Sequence, residues 1–114
     1  MTEAHAEPVS IESVISELAG PWQPRDLVTA NDTVVRVAKL EGEFAWHQHD
    51  EDELFLCWDG SFRIEMNGRE SVELTRGELF VVPAGTRHRP VAESAAHALL
   101  IERPETLQYG NDAN

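Results

Sequence analysis

Only one cysteine occurs in the chain, Cys57, so no disulfide can form within it and a disulfide-stapled fold is excluded. A lone thiol suits the reducing cytoplasm. Positive charge is scarce: nine Lys and Arg stand against 21 Asp and Glu, for a net charge of −12. That balance repels phosphate backbones and anionic lipid, so neither nucleic acid nor a membrane is an expected partner. No apolar run reaches the roughly 20 residues that cross a bilayer. The segment Met1-Thr2-Glu3-Ala4-His5-Ala6-Glu7-Pro8 has neither a basic region nor an apolar stretch, so no secretory signal is read there. The expectation is a soluble cytoplasmic protein. With 41% hydrophobic residues among 114, it can build a core without staples.

What is present is a succession of strand and turn signals. Residues 1–9 are polar and are expected to form a flexible tail, with residues 10–114 as one domain. Ser10 reads as a helix N-cap, and Ile11, Val14, Ile15 and Leu18 follow at helical spacing until Gly20-Pro21. Beyond Trp22 the pattern predicts strands over 27–30, 33–40, 44–49, 53–58, 62–66, 71–74, 79–82, 88–91 and 95–102. Turns are read at Asn31-Asp32, Glu41-Gly42, Asp59-Gly60, Asn67-Gly68, Arg76-Gly77 and Pro83-Ala84-Gly85. Short strands with turns at this spacing point to an all-β antiparallel sandwich or barrel.

One stretch stands apart from this ordinary material. His47 and His49 are two positions apart, so on a strand they share a face, and Glu53 keeps the same parity. His88 follows a separate turn, from which another strand could bring it to the same point. Three imidazoles and a carboxylate converging in one pocket would make a site for a first-row transition metal.

These residues carry a resemblance to the cupin superfamily. Its first motif is matched by Gly42, four residues, His47-Gln48-His49, three residues, Glu53, six residues and Gly60. Its second is matched by Gly77, five residues, Pro83-Ala84-Gly85, two residues and His88. The first interval is one residue short, and Ala92 stands where the second motif ends in Asn. The resemblance runs over residues 34–102 and is greatest to small single-domain cupins of the conserved-barrel type, often labelled mannose-6-phosphate isomerase-like. That label is not evidence of sugar phosphate isomerisation. The resemblance implies a small antiparallel jelly-roll β-barrel, here with a short N-terminal helix. It also implies His47, His49, Glu53 and His88 as metal ligands. Such a set suits divalent Fe, Mn, Ni, Co, Cu or Zn.

Other readings of these residues are plainer. A His-x-His alone could be two surface histidines on an edge strand. The glycines are read as turn and close-approach positions. Asp50, Glu51 and Asp52 read as a solvated acidic loop, although Glu51 could substitute as a ligand and Asp52 could orient an imidazole from behind. Trp46 and Trp58 are expected to pack on the face away from the ligands. Phe55 and Cys57 share Glu53's parity and are expected to face the interior, where a buried thiol is no nucleophile. Arg87 and Arg89 are read as surface charges, and His5 and His97 as non-ligands.

The functional expectation is a metal-dependent enzyme acting on a small oxygen-rich or anionic metabolite, of dioxygenase or isomerase/epimerase type. No general base stands out. The alternative is a non-catalytic cupin that holds a small ligand or a metal as a sensor or store. A homodimer is expected from the resemblance, with 34–40 as an interface strand because aliphatic residues occur there at both parities.

Overall fold

Side chains that alternate between apolar and polar at every second position commit most of the chain to strands with one face buried. The computed structural model, which describes residues 7–110, has one short helix, α1 (Ile11–Ile15), and seven strands: β1 (Arg25–Ala30), β2 (Thr33–Glu43), β3 (Glu53–Asp59), β4 (Ser61–Met66), β5 (Arg69–Thr75), β6 (Leu79–Val82) and β7 (His88–Glu102). Of the expected tail, residues 1–6, including His5, lie outside the described residues. The Ser10 side chain caps α1 by accepting from the Ser13 amide at 3.2 Å. The helix stops at Ile15, short of the expected Leu18, because Glu17 and Leu18 bond three residues back, to Val14 and Ile15. That tighter winding ends the α-helical ladder.

The pairing is antiparallel in the order β1-β2-β7-β3-β6, with β4 joining β7 to β5. This is the mostly antiparallel, all-β architecture expected. Two expected strands, 88–91 and 95–102, are one fifteen-residue strand, β7. Its first part pairs with β4 and its later part with β3, while β2 runs along the other side of both. One long strand shared between two partners is how the sheet curls over itself. Opposite the bend, the register of β2 shifts between Leu40 and Gly42, and Gly42 has φ +88°. The expected turn at Glu41-Gly42 is therefore a bulge inside a strand. Gly42 faces Ala92, which is fully buried in the core.

The expected strand over 44–49 does not form. After Glu43 the chain leaves the ladder, touching β7 again through the single bridge between His47 and His88. The interface role expected for 34–40 is also altered. Both edges of β2 are taken, by β1 and β7, so it cannot pair edge to edge with another chain.

Phe62, Ile64 and Met66 from β4 and Phe55 and Cys57 from β3 point into the core, all 4% exposed or less. Burying side chains of the larger kinds stabilises by about 1.5–3 kcal/mol each. Gly60 is required for a close approach. It has φ +73°, and a Cβ there would lie 2.9 Å from the Ala96 Cβ.

Candidate metal centre

The four residues named from the sequence meet at one end of the barrel. Glu53 opens β3, His88 opens β7, and His47 and His49 lie on the irregular segment between β2 and β3. One ligand atom from each falls within 4.8 Å of the others, and all four side chains are buried. The alternation that a strand would give survives without the strand: His47 and His49 are 3% and 2% exposed, with Gln48 less buried between them.

Backbone bonds hold the two motifs together. The His47 amide donates to the His88 carbonyl and the His88 amide donates back to His47. The Gly85 amide donates to the His49 carbonyl at 2.8 Å, and the Ala84 amide donates to Asp52 Oδ1 at 2.8 Å. Asp52 thus fixes the Pro83-Ala84-Gly85 turn and orients no imidazole.

The ring nitrogens are polarised toward one point. His47 Nδ1 lies 2.8 Å from the Ala45 carbonyl, and His88 Nδ1 lies 2.8 Å from the Thr86 carbonyl. A carbonyl only accepts, so each Nδ1 carries a proton and each ring turns its Nε2 inward. Glu53 Oε1 is 3.2 Å from both His49 Nε2 and His88 Nε2. Both nitrogens of His49 are buried without a hydrogen bond. Groups at that spacing can share a proton, as His88 Nε2 and Glu53 Oε1 do, or surround a cation. Ligands about 2.0–2.2 Å from a metal stand roughly 3.0–3.4 Å apart, so the residues present fit a divalent transition metal.

Electrostatics agree. Burial, assisted by His88 and His49, lowers His47 to about 4 against the pull of the Ala45 carbonyl, so its ring is neutral at pH 7. Burial pushes Glu53 upward, but the imidazoles of His49 and His88 outweigh it and hold the carboxyl well below its ordinary value. Burial also raises the Cys57 thiol, with Asp59 and Glu78 adding to it, which keeps the thiol inert.

Sequence reading missed a second carboxylate. Glu102, at the end of β7, is 7% exposed, and its Oε2 lies 2.6 Å from Arg36 Nη1. Burial, then the charge of Glu53, raise Glu102 to about 8 despite Arg36. Arg36 and Glu102 line a cavity of about 50 Å³ beside His47 and Glu53, walled by Trp22 and Phe44. The signal was available: Glu102 closes the inward row Ala96, Ala98, Leu100 with a charge. The segment after β7 closes over this mouth. Arg36 donates to the carbonyls of Pro104 and Thr106, Gln108 donates to the Trp22 carbonyl, and the Tyr109 ring lies 4.9 Å from Phe44.

The other expected roles sort cleanly. His97 pairs with Asp59 at 2.8 Å, away from the cluster. Glu51 is not in the cluster, although its Oε1 is buried without a partner. Arg89 pairs with Glu65 and Glu43 on the outside and lies over the Trp46 ring. Trp58 donates to Glu12 of α1.

Residues 33–102 match the family described as the cupin domain. A curated relative, an uncharacterized protein YdbB of Bacillus subtilis (strain 168), is 40% identical over 60 residues, covering 52% of this chain and 53% of that protein. The match therefore spans about half of that relative. A crystal structure of a cupin-2 domain containing protein from Shewanella frigidimarina NCIMB 400 is 32% identical, covers 83% of this chain and 93% of its own, and superposes with a TM-score of 0.79. The hydroquinone 1,2-dioxygenase PnpCD, solved with Cd2+ and 4-hydroxybenzonitrile, is 21% identical over 90% of this chain and 76% of its own, with a TM-score of 0.74. At that identity the likeness is one of fold.

Proposed function

The chain belongs to the cupin domain family, and on that premise we propose that it is a metal-dependent enzyme acting on a small oxygen-rich or anionic metabolite, of dioxygenase or isomerase/epimerase type. The proposed ligands are His47, His49, Glu53 and His88. The observation that carries the reading is His49, whose two ring nitrogens are both buried and take no hydrogen bond. Its Nε2 has only the Glu53 carboxylate beside it, at 3.2 Å, and a buried imidazole so poorly bonded is costly unless a further partner such as a metal is present. A bound divalent ion would supply a positive centre that polarises a substrate oxygen or, if redox-active, accepts or donates electrons. The chain's own part is to hold His47 and His88 in one tautomer, to keep Glu53 ionised, and to shield the site with Trp22 and Phe44. A fold neighbour, PnpCD, was solved with a metal ion and a small aromatic ligand, which is in keeping with this reading.

The proposed setting is the cytoplasm, where a lone thiol such as Cys57 stays reduced. The proposed assembly is a homodimer through the outer sheet face. Leu79 and Val81 on β6 are 61% and 45% exposed, and across the registers they continue into Leu56 and Leu54 and then into Leu99 and Ile101.

The test is elemental analysis by plasma mass spectrometry on protein purified without an affinity-metal column, with His49→Ala alongside. Near-stoichiometric iron, manganese or nickel that is lost in the variant supports the reading. No bound metal in either protein, even after reconstitution, overturns it.

A further inference from the structure

The segment after β7 covers the cavity beside the ligand cluster without joining the sheet. Residues 103–110 form two turns, in which the Thr106 amide donates to the Arg103 carbonyl and the Gly110 amide to the Leu107 carbonyl, each at 3.0 Å. The first half is fixed. Thr106 is 4% exposed, and Arg36 donates to the carbonyls of Pro104 and Thr106. The second half lies outside: Leu107 and Tyr109 are 53% and 63% exposed. Among the described residues, one hydrogen bond ties 107–110 to the barrel, from Gln108 Nε2 to the Trp22 carbonyl at 2.8 Å. One ring contact adds to it, Tyr109 on Phe44. A Cβ at Gly110 would collide with the Gln48 carbonyl, so this arm ends against the backbone that carries His47 and His49.

Both contacts fall on the cavity wall, to which Trp22, Phe44 and Gln108 all contribute. The Trp22 and Phe44 rings stand 4.9 Å apart, and Phe44 meets the His47 ring edge-on at 5.3 Å. Trp22 has φ +63°, a left-handed conformation that a bulky side chain seldom adopts. Such strain persists only where neighbours over-determine it, and it gathers at clamps and switches. Three hydrogen bonds hold Trp22. Its amide donates to the Lys39 carbonyl at 2.9 Å, its indole Nε1 donates to the Glu41 carbonyl at 3.1 Å, and its own carbonyl accepts from Gln108. Two of these run to β2, and the third is supplied by the exposed arm. Releasing the arm therefore removes one restraint on Trp22 and the cover on Phe44 in a single movement.

We propose that residues 107–110 are a hinged lid over this cavity, latched by Gln108 on the Trp22 carbonyl and by Tyr109 on the Phe44 ring, and that small ligands enter as the latch opens. Thr106, held by burial and by Arg36, is the fixed end about which the arm turns. Gln108 and Tyr109 are positioning residues that set how often the wall is open. Two weak contacts suit that task, because a lid must release on the microsecond-to-millisecond scale of ligand entry. The gate is built from the chain alone, so it stands independently of the metal reading above.

The experiment is nitrogen-15 relaxation dispersion on the full chain, free of metal, as wild type, Gln108→Ala and Tyr109→Ala. In wild type, the amides of 107–110 and the Trp22 indole N–H are expected to share one exchange process, with an open state of about 1–10%. Gln108→Ala is expected to raise the open-to-closed ratio about fivefold, the worth of one hydrogen bond. Tyr109→Ala is expected to raise it about 2–10-fold, the worth of one ring pair. Access is read by acrylamide quenching in the same three proteins carrying Trp46→Phe and Trp58→Phe, which leave Trp22 as the one indole of the three. The quenching constant is expected to rise in step with the open state. A wild type with no shared exchange process, or an open state that neither substitution changes, overturns the lid. Quenching that stays at the wild-type value while the open state grows overturns the gate.

Discussion

His47 and His88 exchange both of their backbone hydrogen bonds, at 2.9 and 2.8 Å. The first and second motifs are thereby tied through main chain, before any side chain is considered. Backbone pairing alone thus brings the cluster together, from which a site preformed without an ion is expected. Adding a divalent metal to metal-free protein should therefore raise the unfolding temperature with little change in the far-ultraviolet dichroism spectrum. At a free metal concentration 100 times the dissociation constant, the gain is about 2.7 kcal/mol. A large rise in strand signal on metal addition would contradict a preformed site.

His49 and His47 should respond differently to truncation. His49 makes no hydrogen bond through its ring, whereas His47 Nδ1 donates to the Ala45 carbonyl at 2.8 Å. Both alanine variants should lose metal affinity by about 100-fold or more, since removing a ligand costs at least as much as removing the group behind it. In metal-free protein, His47→Ala should lose about 1 kcal/mol more than His49→Ala in urea unfolding, the worth of one hydrogen bond. Equal losses would mean that the Ala45 contact contributes nothing.

Gly60 separates the structural part of the first motif from its chemistry. Its φ is +73°, and a Cβ would meet Ala96 at 2.9 Å. Gly60→Ala should destabilise by about 2–4 kcal/mol from backbone strain and overpacking together, while metal bound per folded chain stays at the wild-type value. Loss of metal from the folded variant would show that Gly60 also positions the ligands.

The parts of this protein legible in the sequence are those where short-range pattern and long-range pairing agree. Phe62, Ile64 and Met66 alternate on β4 and all point inward. His47 and His49 were placed on one side by strand parity, and burial bears that out even though no strand forms there. The bulge at Gly42 was not legible, because a glycine with positive φ serves a turn and a bulge equally well. Nor was the union of 88–91 with 95–102 into β7, since exposed Glu93 and Ser94 look like a loop until β2 is seen pairing along both halves. Glu102 was legible as a charge closing the inward row of β7, but its pairing with Arg36 and Glu53 arises only across the folded sheet.

Acid and alkali should weaken the metal-free protein through different groups. His47 is lowered from 6.5 to about 4, so between those values the unfolded chain binds more protons and stability rises with pH, by roughly 3 kcal/mol across the window. Glu53 acts with the same sign, and its share is lost as pH falls below 4.5. Glu102 is raised from 4.5 to about 8, so there the folded chain binds more protons and stability falls as pH rises. The two effects oppose one another from about pH 4.5 to 6.5 and act alone outside it. Urea midpoints should form a plateau in that range, dropping toward pH 4 and toward pH 8. Glu102→Gln should remove the alkaline drop and keep the acid one.

The outer sheet face is the proposed dimer interface. Leu79 and Val81 are exposed on β6, and the registers place Leu56 and Leu54 beside them, followed by Leu99 and Ile101 and then Val37 and Val35. The part over Val37 and Leu99 is already buried, at 0% and 5% exposure, with α1 lying against β2. The half toward β6 has no such cover among the described residues. An apolar sheet face of this kind is covered in solution by another surface or becomes a site of aggregation, and a second copy supplies the same face by two-fold symmetry. Sedimentation should therefore give twice the 12.8 kDa chain mass at micromolar concentration. Leu79→Lys with Val81→Lys should shift it to monomer, because two like charges would oppose their own copies across the axis, while each chain keeps its fold and metal content. A wild-type monomer throughout the micromolar range, or a dimer indifferent to both lysines, would remove this face from the interface.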